Sequence, residues 1–267
     1  MNKVVLITGA SSGIGKAIGD FLHQKGYIVY GTSRNPDRIL NSIFPLFAMD
    51  VRKVDTINSA VEKVLSISGR IDILINNAGV GITGPLEEIP SSEIQNNFET
   101  NVFGPIEVMK AVLPGMRVRR SGLIINITSI AGYMGLPYRS VYSASKGALS
   151  LITEALRMEV KHLGIKITNI APGDFATNIA AGRYHSPLIP SSAYAIPYAT
   201  TLKKMDSHVD SGSDPQEIAM AVYRIIEMPD PDIHYKVGAF MQKFSIVLKR
   251  ILPDKLYEKM LMKHYNL

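Results

Sequence analysis

The sequence predicts a doubly wound α/β fold, in which helices cover both faces of a mainly parallel, seven-stranded sheet. Short apolar runs rich in β-branched residues alternate with amphipathic helical patterns along the 267 residues, as is typical of parallel sheets. A glycine-rich turn joins the first strand to the first helix, and ligands of such sheets bind where the strands end. The length fits a single domain, residues 1–267, with one buried core.

Composition is that of a soluble globular enzyme, with 46% apolar and 19% charged residues. The absence of cysteine excludes disulfides and thiolate metal sites and suits a reducing compartment, so a cytoplasmic location is expected. The apolar run at the N-terminus is short enough to be a strand rather than a signal peptide. The net charge of +6 is dispersed, so nucleic-acid binding is not expected. The histidines show no metal-ligand spacing, so no metal is expected.

The first strand, residues 3–8, leads into a Gly-xxx-Gly-x-Gly turn and then into a helix ending near Lys25. Glycines allow a tight turn and close backbone approach, and the free N–H groups of a helix N-terminus attract an anion. The turn is therefore predicted to hold the phosphates of a nucleotide. The residues predicted to do so are Gly9, Ser11, Ser12, Gly13, Ile14 and Gly15.

The second strand, residues 27–32, is followed by Ser33 and Arg34, with no acid before Asp37. At this place an acidic side chain accepts the ribose 2′-hydroxyl of NAD, whereas a cation accommodates the 2′-phosphate of NADP. The planar guanidinium of Arg34 suits a phosphate, so NADP(H) is favoured over NAD(H). The alternative is that Arg34 is a solvated loop residue.

A third strand, residues 47–50, ends in Asp50-Val51, and a helix is predicted from about residue 53 to 66. A fourth strand, residues 71–75, is closed by Asn76-Asn77-Ala78-Gly79. The two adjacent amides can either satisfy backbone groups of neighbouring strand ends or contact a ligand. A helical stretch over residues 93–117 then contains Asn101, and its Gly104-Pro105 pair predicts a kink.

A buried strand over residues 122–128 places Ser129 at its carboxyl end. A helix predicted over residues 141–163 carries Tyr142 and Lys146 four positions apart, so that their side chains share one face. A nearby ammonium lowers the pKa of a phenol from about 10, and Tyr142 could then exchange a proton with an alcohol or carbonyl oxygen held by Ser129. Chance alone supplies about one Tyr-xxx-Lys pair in such a composition, so the inference depends on its conjunction with the other signals.

A strand over residues 166–170 is followed by Pro172-Gly173, and periodicity then fails from 178 to 213. Three prolines at 187, 190 and 197 are expected to break any long helix there, so this segment is interpreted as an irregular, mobile substrate lid. Its apolar side chains are expected to join those of the loop before Tyr142 in a roomy, mainly apolar pocket. They are Tyr184, Leu188, Ile189, Tyr194, Tyr198 and Met205 of the segment, and Ile130, Tyr133, Met134, Leu136 and Tyr138 of the loop.

Asp214-Pro215 is predicted to open a helix that ends near residue 227, and residues 234–237 are predicted to form the last strand. Residues 239–267 follow as a C-terminal helical extension of two helices separated by Leu252-Pro253-Asp254. Counting from Lys236, this region holds seven Lys or Arg residues against two acids. Covering the substrate pocket or a neighbouring subunit is favoured over contact with a membrane surface.

The motifs together resemble those of the short-chain dehydrogenase/reductases, a family with the Rossmann fold, over nearly the whole chain. They occur in the expected order: Thr8-Gly9-xxx-Gly13-x-Gly15, Asn76-Asn77-Ala78-Gly79, Asn101, Ser129, Tyr142-xxx-Lys146 and Pro172-Gly173. The order Tyr235-Lys-Val-Gly238, an apolar helix and Leu-Pro-Asp is also similar to the 17β-hydroxysteroid dehydrogenase-like subset. That similarity does not establish a steroid substrate.

The resemblance implies a role for each matching position. Ser129, Tyr142, Lys146 and Asn101 would be catalytic, with Asn101 in a proton relay and Lys146 also binding the nicotinamide ribose next to Tyr142. The remaining implied cofactor contacts are Asp50 and Val51 at the adenine, Asn77, Ala78 and Gly79 along the cofactor, and Pro172, Gly173 and Thr177 at the carboxamide. A homodimer or homotetramer would form through the helices at 93–120 and 141–163.

These observations predict an NADP(H)-dependent oxidoreductase that interconverts a ketone or aldehyde and an alcohol by hydride transfer. The small-molecule substrate is expected to be bulky and apolar, and excess NADPH favours carbonyl reduction. The alternatives are an NAD(H)-preferring alcohol dehydrogenase and a non-catalytic nucleotide-sensing protein. The presence of both Tyr142 and Lys146 counts against the second alternative.

Overall fold

The computed structural model describes residues 2–175, 182–210 and 213–267, with the side chains of 206–210 left aside. Its strands, in chain order, are β1 Val4–Ile7, β2 Ile28–Ser33, β3 Leu46–Ala48, β4 Ile73–Asn76, β5 Ile82–Thr83, β6 Gly122–Ile127, β7 Ile165–Pro172, β8 Tyr184–His185 and β9 His234–Val237. Seven of them form one sheet in the order β3-β2-β1-β4-β6-β7-β9, and β5 pairs with β8 separately. All these pairings are parallel, so the predicted doubly wound sheet is confirmed.

Helices connect and cover these strands on both faces of the sheet. They are α1 Gly13–Gln24, α2 Val54–Ser68, α3 Ser91–Phe98, α4 Gly104–Arg119, α5 Ser140–Val160, α6 Ala195–Asp210, α7 Gln216–Glu227, α8 Phe240–Ile251 and α9 Asp254–Tyr265. One core lies between the sheet and α2, α4 and α5, and the other between the sheet and α1 and α7. The strands are buried on both faces, which explains why their sequences are continuous apolar runs rather than alternating ones.

The prediction of an irregular segment is wrong from residue 195 onwards. An irregular segment was expected over 178–213, but Ala195–Asp210 forms the helix α6. Pro197 lies in the first turn of α6, where a backbone N–H has no intrahelical partner, so the proline does not interrupt the helix. Residues 178–181 and 211–212, which also fall in the predicted lid, lie outside the described residues.

The order of the strands places a crevice at the centre of the sheet. From β1 the chain moves outward to β2 and β3 and then crosses back to β4, on the other side of β1. Loops that follow β1 and β4 therefore leave in opposite directions at the carboxyl edge. Any ligand of the sheet has its natural place in this crevice.

A row of polar side chains crosses the sheet just inside this edge. Asn76, Asn126 and Asn169 are register partners on β4, β6 and β7, and His234 continues the row on β9. The Asn76 amide nitrogen donates to Asn126 Oδ1 at 2.9 Å, and Asn169 Oδ1 lies 3.1 Å from His234 Nδ1. Thr153 on α5 accepts from Asn126 Nδ2 at 2.9 Å. These bonds compensate the buried amides for lost water and tie the strand ends to one another.

The C-terminal helices pack against their own chain. Ile246 on α8 and Tyr257 on α9 are buried against Ile130 and Met134, which follow β6. Pro253 separates the two helices as expected. Among the described residues, no helix has the length and apolar character required to cross a bilayer.

Candidate active site

A cavity of about 540 Å³ opens at the carboxyl edge of the sheet, between the turn after β1 and the start of α5. Most of the residues singled out from the sequence line it. They are Gly9, Ser11, Ser12, Gly13, Ile14, Ser33, Arg34, Asp50, Val51, Asn77, Ala78, Gly79, Ser129, Tyr142, Lys146, Pro172 and Gly173. Segments far apart in sequence therefore meet where the order of the strands creates the crevice.

The turn after β1 needs glycine for two reasons: positive φ angles at two positions and close packing at a third. Gly9 and Gly13 have positive φ angles of 65° and 53°, which favour glycine. Gly15 lies behind the turn, outside the cavity lining, where a Cβ would run into Asn77 and the Gly9 carbonyl oxygen. Two of the glycines thus set the backbone direction, and the third allows α1 to approach β4.

Asn77 and Thr8 hold this turn against the end of β4. The Asn77 amide nitrogen donates to the carbonyl oxygens of Thr8 and Gly9 at 3.0 and 2.9 Å. In return, Thr8 Oγ1 accepts from the backbone N–H groups of Asn77 and Ala78, both at 3.0 Å. Of the two roles that the sequence left open for the adjacent amides, the structure shows the structural one.

Lys146 is buried beneath the cavity floor, one turn after Tyr142 on α5. Its Nζ donates to the carbonyl oxygen of Ile127, the last residue of β6, at 3.0 Å. Burial removes water from the ammonium and lowers the pKa of Lys146 from its ordinary 10.5 to about 8. A Cβ on Gly79 would lie 3.2 Å from Nζ, so the absence of a side chain there leaves room for the ammonium.

Tyr142 and Ser129 face the same cavity from α5 and from the loop after β6. Both are largely buried, at 7% and 8% exposure. Ser129 Oγ accepts from the backbone N–H of Ala131 at 3.2 Å, so its own hydroxyl hydrogen is available to a ligand oxygen. Arg139 lies over the Tyr142 ring with its guanidinium carbon 5.2 Å from the ring centroid.

Asn101 is fully buried and lies outside the cavity lining. It belongs to a π-helical turn, Glu99–Phe103, that precedes Gly104-Pro105 where the sequence predicts a kink. Its Oδ1 accepts from the N–H of Val80 at 2.8 Å, and its Nδ2 donates to the Val80 carbonyl at 2.9 Å. Nδ2 also lies 3.2 Å from Ser145 Oγ on α5. Asn101 therefore joins the loop after β4 to the helix that carries Tyr142 and Lys146.

The cavity is strongly cationic, because its lining includes five arginines and Lys146 against two carboxylates, Asp50 and Asp174. Asp50 is itself neutralised: both of its oxygens accept from Arg52, at 2.9 and 2.6 Å. This hydrogen-bonded arginine is the main reason why the pKa of Asp50 is lowered. The walls consequently favour a ligand with several negative charges.

Four of these arginines were not singled out from the sequence: Arg38, Arg52, Arg139 and Arg183. Arg139 is the N-cap residue of α5, three residues before Tyr142, and this nearness in sequence is a signal that sequence reasoning could have used. Arg52 follows Asp50 by two residues, but arginines near acids are too common to indicate a site. Arg183 directly precedes β8, the strand that pairs with β5, and no sequence motif marks this segment.

Some of the residues predicted to form the apolar pocket are buried, and others are exposed. Ile130 and Met134 pack against the C-terminal helices, and Tyr198 is fully buried with its ring 5.2 Å from that of Tyr138. Leu188 and Ile189 are exposed rather than buried at the site. Thr177 lies outside the described residues. In the part of the chain that the structure describes, no three His, Cys, Asp or Glu side chains could together hold a metal ion.

Comparison with known proteins agrees with this geometry. Residues 3–187 match the family model described as short chain dehydrogenase. The chain belongs to the short-chain dehydrogenase family. Members of this family are oxidoreductases that use a nicotinamide cofactor, and the cationic, glycine-lined cavity has the charge and shape for such a dinucleotide.

A curated relative from Bacteroides thetaiotaomicron, named 3-ketodihydrosphingosine reductase, is 40% identical over 96% of this chain and 95% of its own. A short-chain dehydrogenase from Streptomyces avermitilis has a solved structure with a TM-score of 0.82 at 30% identity, covering 100% of this chain and 96% of that one. An alcohol dehydrogenase from Thermococcus sibiricus, complexed with 5-hydroxy-NADP, has a TM-score of 0.73 at 25% identity, covering 90% and 97%.

The buried ammonium predicts how stability depends on pH. Because the pKa of Lys146 is about 8 when folded and 10.5 ordinarily, the unfolded chain binds more protons between these values, and stability rises with pH there. Lys146→Met removes the titration with little change in volume. We therefore expect the unfolding free energy of the wild type, relative to that of Lys146→Met, to increase by about 3 kcal/mol between about pH 7 and about pH 11.

Chemical denaturation of both proteins across this range measures that difference. The other titrating groups are common to the two proteins and cancel. A difference that does not change with pH would mean that the ammonium keeps its ordinary pKa.

Proposed function

We propose that this protein is an NADP(H)-dependent carbonyl reductase acting on the ketone of a bulky, apolar, long-chain substrate. The observation that carries the proposal is the meeting of Ser129, Tyr142 and Lys146 with the glycine turn and Arg34 in one cavity. The catalytic groups and the cofactor must share one space, because the substrate carbon would exchange hydride with the nicotinamide while the substrate oxygen exchanges a proton with Tyr142. Such a reaction interconverts the ketone and the corresponding alcohol.

The proposed cofactor fits the residues of the turn. Gly9 approaches the loop after β4 so closely that a Cβ on it would lie 3.0 Å from the Ala78 Cα. The open backbone and the N-terminus of α1 at Gly13 can receive the pyrophosphate, as in other dinucleotide folds. When bound, the nicotinamide supplies or accepts the hydride.

Arg34 and Arg38 support the preference for NADP(H) over NAD(H). Both line the end of the cavity that follows β2, with Arg34 directly after the strand and Arg38 at the end of the short helical turn Pro36–Arg38. No carboxylate from residues 33–36 is available to accept a ribose 2′-hydroxyl. The bound 5-hydroxy-NADP of the Thermococcus sibiricus enzyme is consistent with this preference.

Each catalytic side chain has a distinct proposed task. Ser129 donates a hydrogen bond to the substrate oxygen, and Tyr142 gives that oxygen its proton during reduction. Lys146 brings a positive charge to the cavity floor, where it favours a developing negative charge on oxygen. Asn101 acts through other groups, because it holds the loop that contains Gly79 and Val80 against α5.

The substrate side of the cavity supports an apolar compound. Ile82 and Tyr142, which line the cavity, pack in an apolar cluster with Ile89 and Val141 behind them, while Ile130 and Met134 belong to a second cluster next to the C-terminal helices. Such walls exclude water and favour hydrocarbon. The name of the Bacteroides relative, 3-ketodihydrosphingosine reductase, suggests a ketone on a long alkyl chain as the class to test.

Purified protein with NADPH and 3-ketodihydrosphingosine provides the direct test, because loss of nicotinamide absorbance reports turnover. Tyr142→Phe should lower kcat by at least about a thousandfold, since it removes the proton donor. Cofactor affinity should change by less than about threefold, because the ring remains. Retained turnover in Tyr142→Phe would remove Tyr142 from the proposed mechanism.

Arg34→Ala tests the choice of cofactor. Loss of one charge-assisted phosphate contact should weaken NADPH binding by about 10- to 100-fold, while NADH binding changes little. Arg38→Ala measures the share of the second cation, and Arg117→Ala, on the distant α4, serves as a matched control. Fluorescence titration gives the dissociation constants of each variant for NADPH and for NADH. An equal effect on both nucleotides would show that Arg34 does not bind the 2′-phosphate.

We also propose a homodimer or homotetramer formed through α4 and α5. Leu151 and Met158 are 66% and 72% exposed on one face of α5, and Val118 is 82% exposed on α4. The double variant Leu151→Glu with Met158→Glu should dissociate the oligomer, because it introduces unpaired charges into an apolar contact. Light scattering at micromolar concentration measures the mass, and Ile67→Glu on α2 is the control. A monomeric wild type would contradict this proposal.

A further inference from the structure

The outward face of α8 carries an apolar stripe that the described residues leave exposed. Phe240, Phe244, Val247 and Ile251 are spaced i, i+4, i+7 and i+11, so they lie along one side of the helix. Their exposed fractions are 73%, 39%, 42% and 73%, and Met241 beside them is 67% exposed. Isolated exposed apolar residues are ordinary, but a continuous stripe on one helix marks an interaction surface.

The opposite side of α8 is fixed to the body of the protein. Ile246 is buried against the loop after β6, and Gln242 donates to Asp174 Oδ2 at 2.7 Å. The rings of Phe240 and Phe244 stack with their centroids 5.7 Å apart. The stripe is therefore a firmly held surface that cannot turn inward to escape water.

Positive charge accompanies the stripe. Lys243 and Arg250 lie along one side of it at helical spacing, and α9 adds exposed lysines at Lys255, Lys259 and Lys263. From Lys236 to the last residue there are seven Lys or Arg residues and two acids, Asp254 and Glu258. An amphipathic helix with an apolar face and cationic flanks binds the surface of a bilayer that contains anionic lipids.

We propose that α8 docks this protein on an anionic membrane surface, with the stripe inserted among the acyl chains and the cations at the headgroups. A second copy of the chain is a poorer occupant. A two-fold contact between two α8 stripes would bring the same cations against each other, whereas anionic headgroups neutralise them. The proposal concerns a surface attachment and requires no spanning segment.

This surface is linked to the cavity through Asp174. That residue lines the cavity, and its backbone N–H and carboxylate both bond to Gln242 of α8. A docked α8 would hold this wall of the cavity close to the bilayer. A substrate with a long alkyl chain could then enter from the lipid phase, a consequence that rests on the proposed function.

Vesicle flotation without cofactor or substrate tests the docking alone. We expect the protein to float with phosphatidylcholine vesicles containing about 30% phosphatidylglycerol and much less with pure phosphatidylcholine. About 0.5 M salt should release most of it, because screening weakens the headgroup contacts. The triple variant Phe240→Ser, Phe244→Ser and Ile251→Ser should lower the partition coefficient about tenfold or more.

The matched control is Val54→Ser with Ile67→Ser, which removes two exposed apolar side chains from α2 and should leave flotation unchanged. Circular dichroism and the thermal midpoint establish that each variant is folded. Flotation that survives the triple substitution, or that is equal on neutral vesicles, overturns the proposal. A loss of oligomer mass in the triple variant would assign the stripe to a second copy and overturn it as well. None of these outcomes bears on reductase activity, because that activity is measured separately, with substrate solubilised in detergent and without vesicles.

Discussion

The burial of one ammonium constrains the whole candidate site. Lys146 is only 5% exposed, and its Nζ donates to a backbone carbonyl oxygen at the end of β6, at 3.0 Å. A buried cation is costly and is retained where its charge is used. The surrounding structure accommodates that charge by bringing a side-chain-free residue, Gly79, beside it. The stability of the fold is thus reduced at the point where chemistry is expected.

Buried amides supply the rigidity that this arrangement needs. Asn77 binds the backbone of the turn after β1, and Asn101 binds both polar groups of Val80. Asn77 joins two loops and Asn101 joins a loop to helical segments, through hydrogen bonds in a low-dielectric interior where an unpaired amide would be costly. The loops around the cavity are consequently positioned by the protein itself, before any cofactor arrives. This preorganisation lowers the conformational entropy that binding would otherwise have to remove.

The sequence could predict the regular parts of this structure because they depend on local pattern. Apolar runs and turn residues predict the parallel sheet, the end of a strand places Ser129 at its carboxyl edge, and helical spacing puts Tyr142 and Lys146 on one face of the following helix. The helix α6 was missed, because proline was treated as a breaker without regard to its position in the first turn. Arg183 could not have been found, because its place in the cavity depends on the tertiary path of an unmarked segment.

The C-terminal extension shows why substrate recognition is the hardest property to predict. Its helical spacing and its charge are visible in the sequence, where they favour covering a pocket or a neighbouring subunit over contact with a membrane. Packing separates these uses by face: Ile246 and Tyr257 turn inward, while Phe240 and Ile251 turn outward. The helix α8 can therefore hold Asp174 in the cavity wall and present an outer surface at the same time. Since the motifs that predict the catalytic end of the cavity are shared across the family, differences in substrate recognition are expected to come from elements outside those motifs.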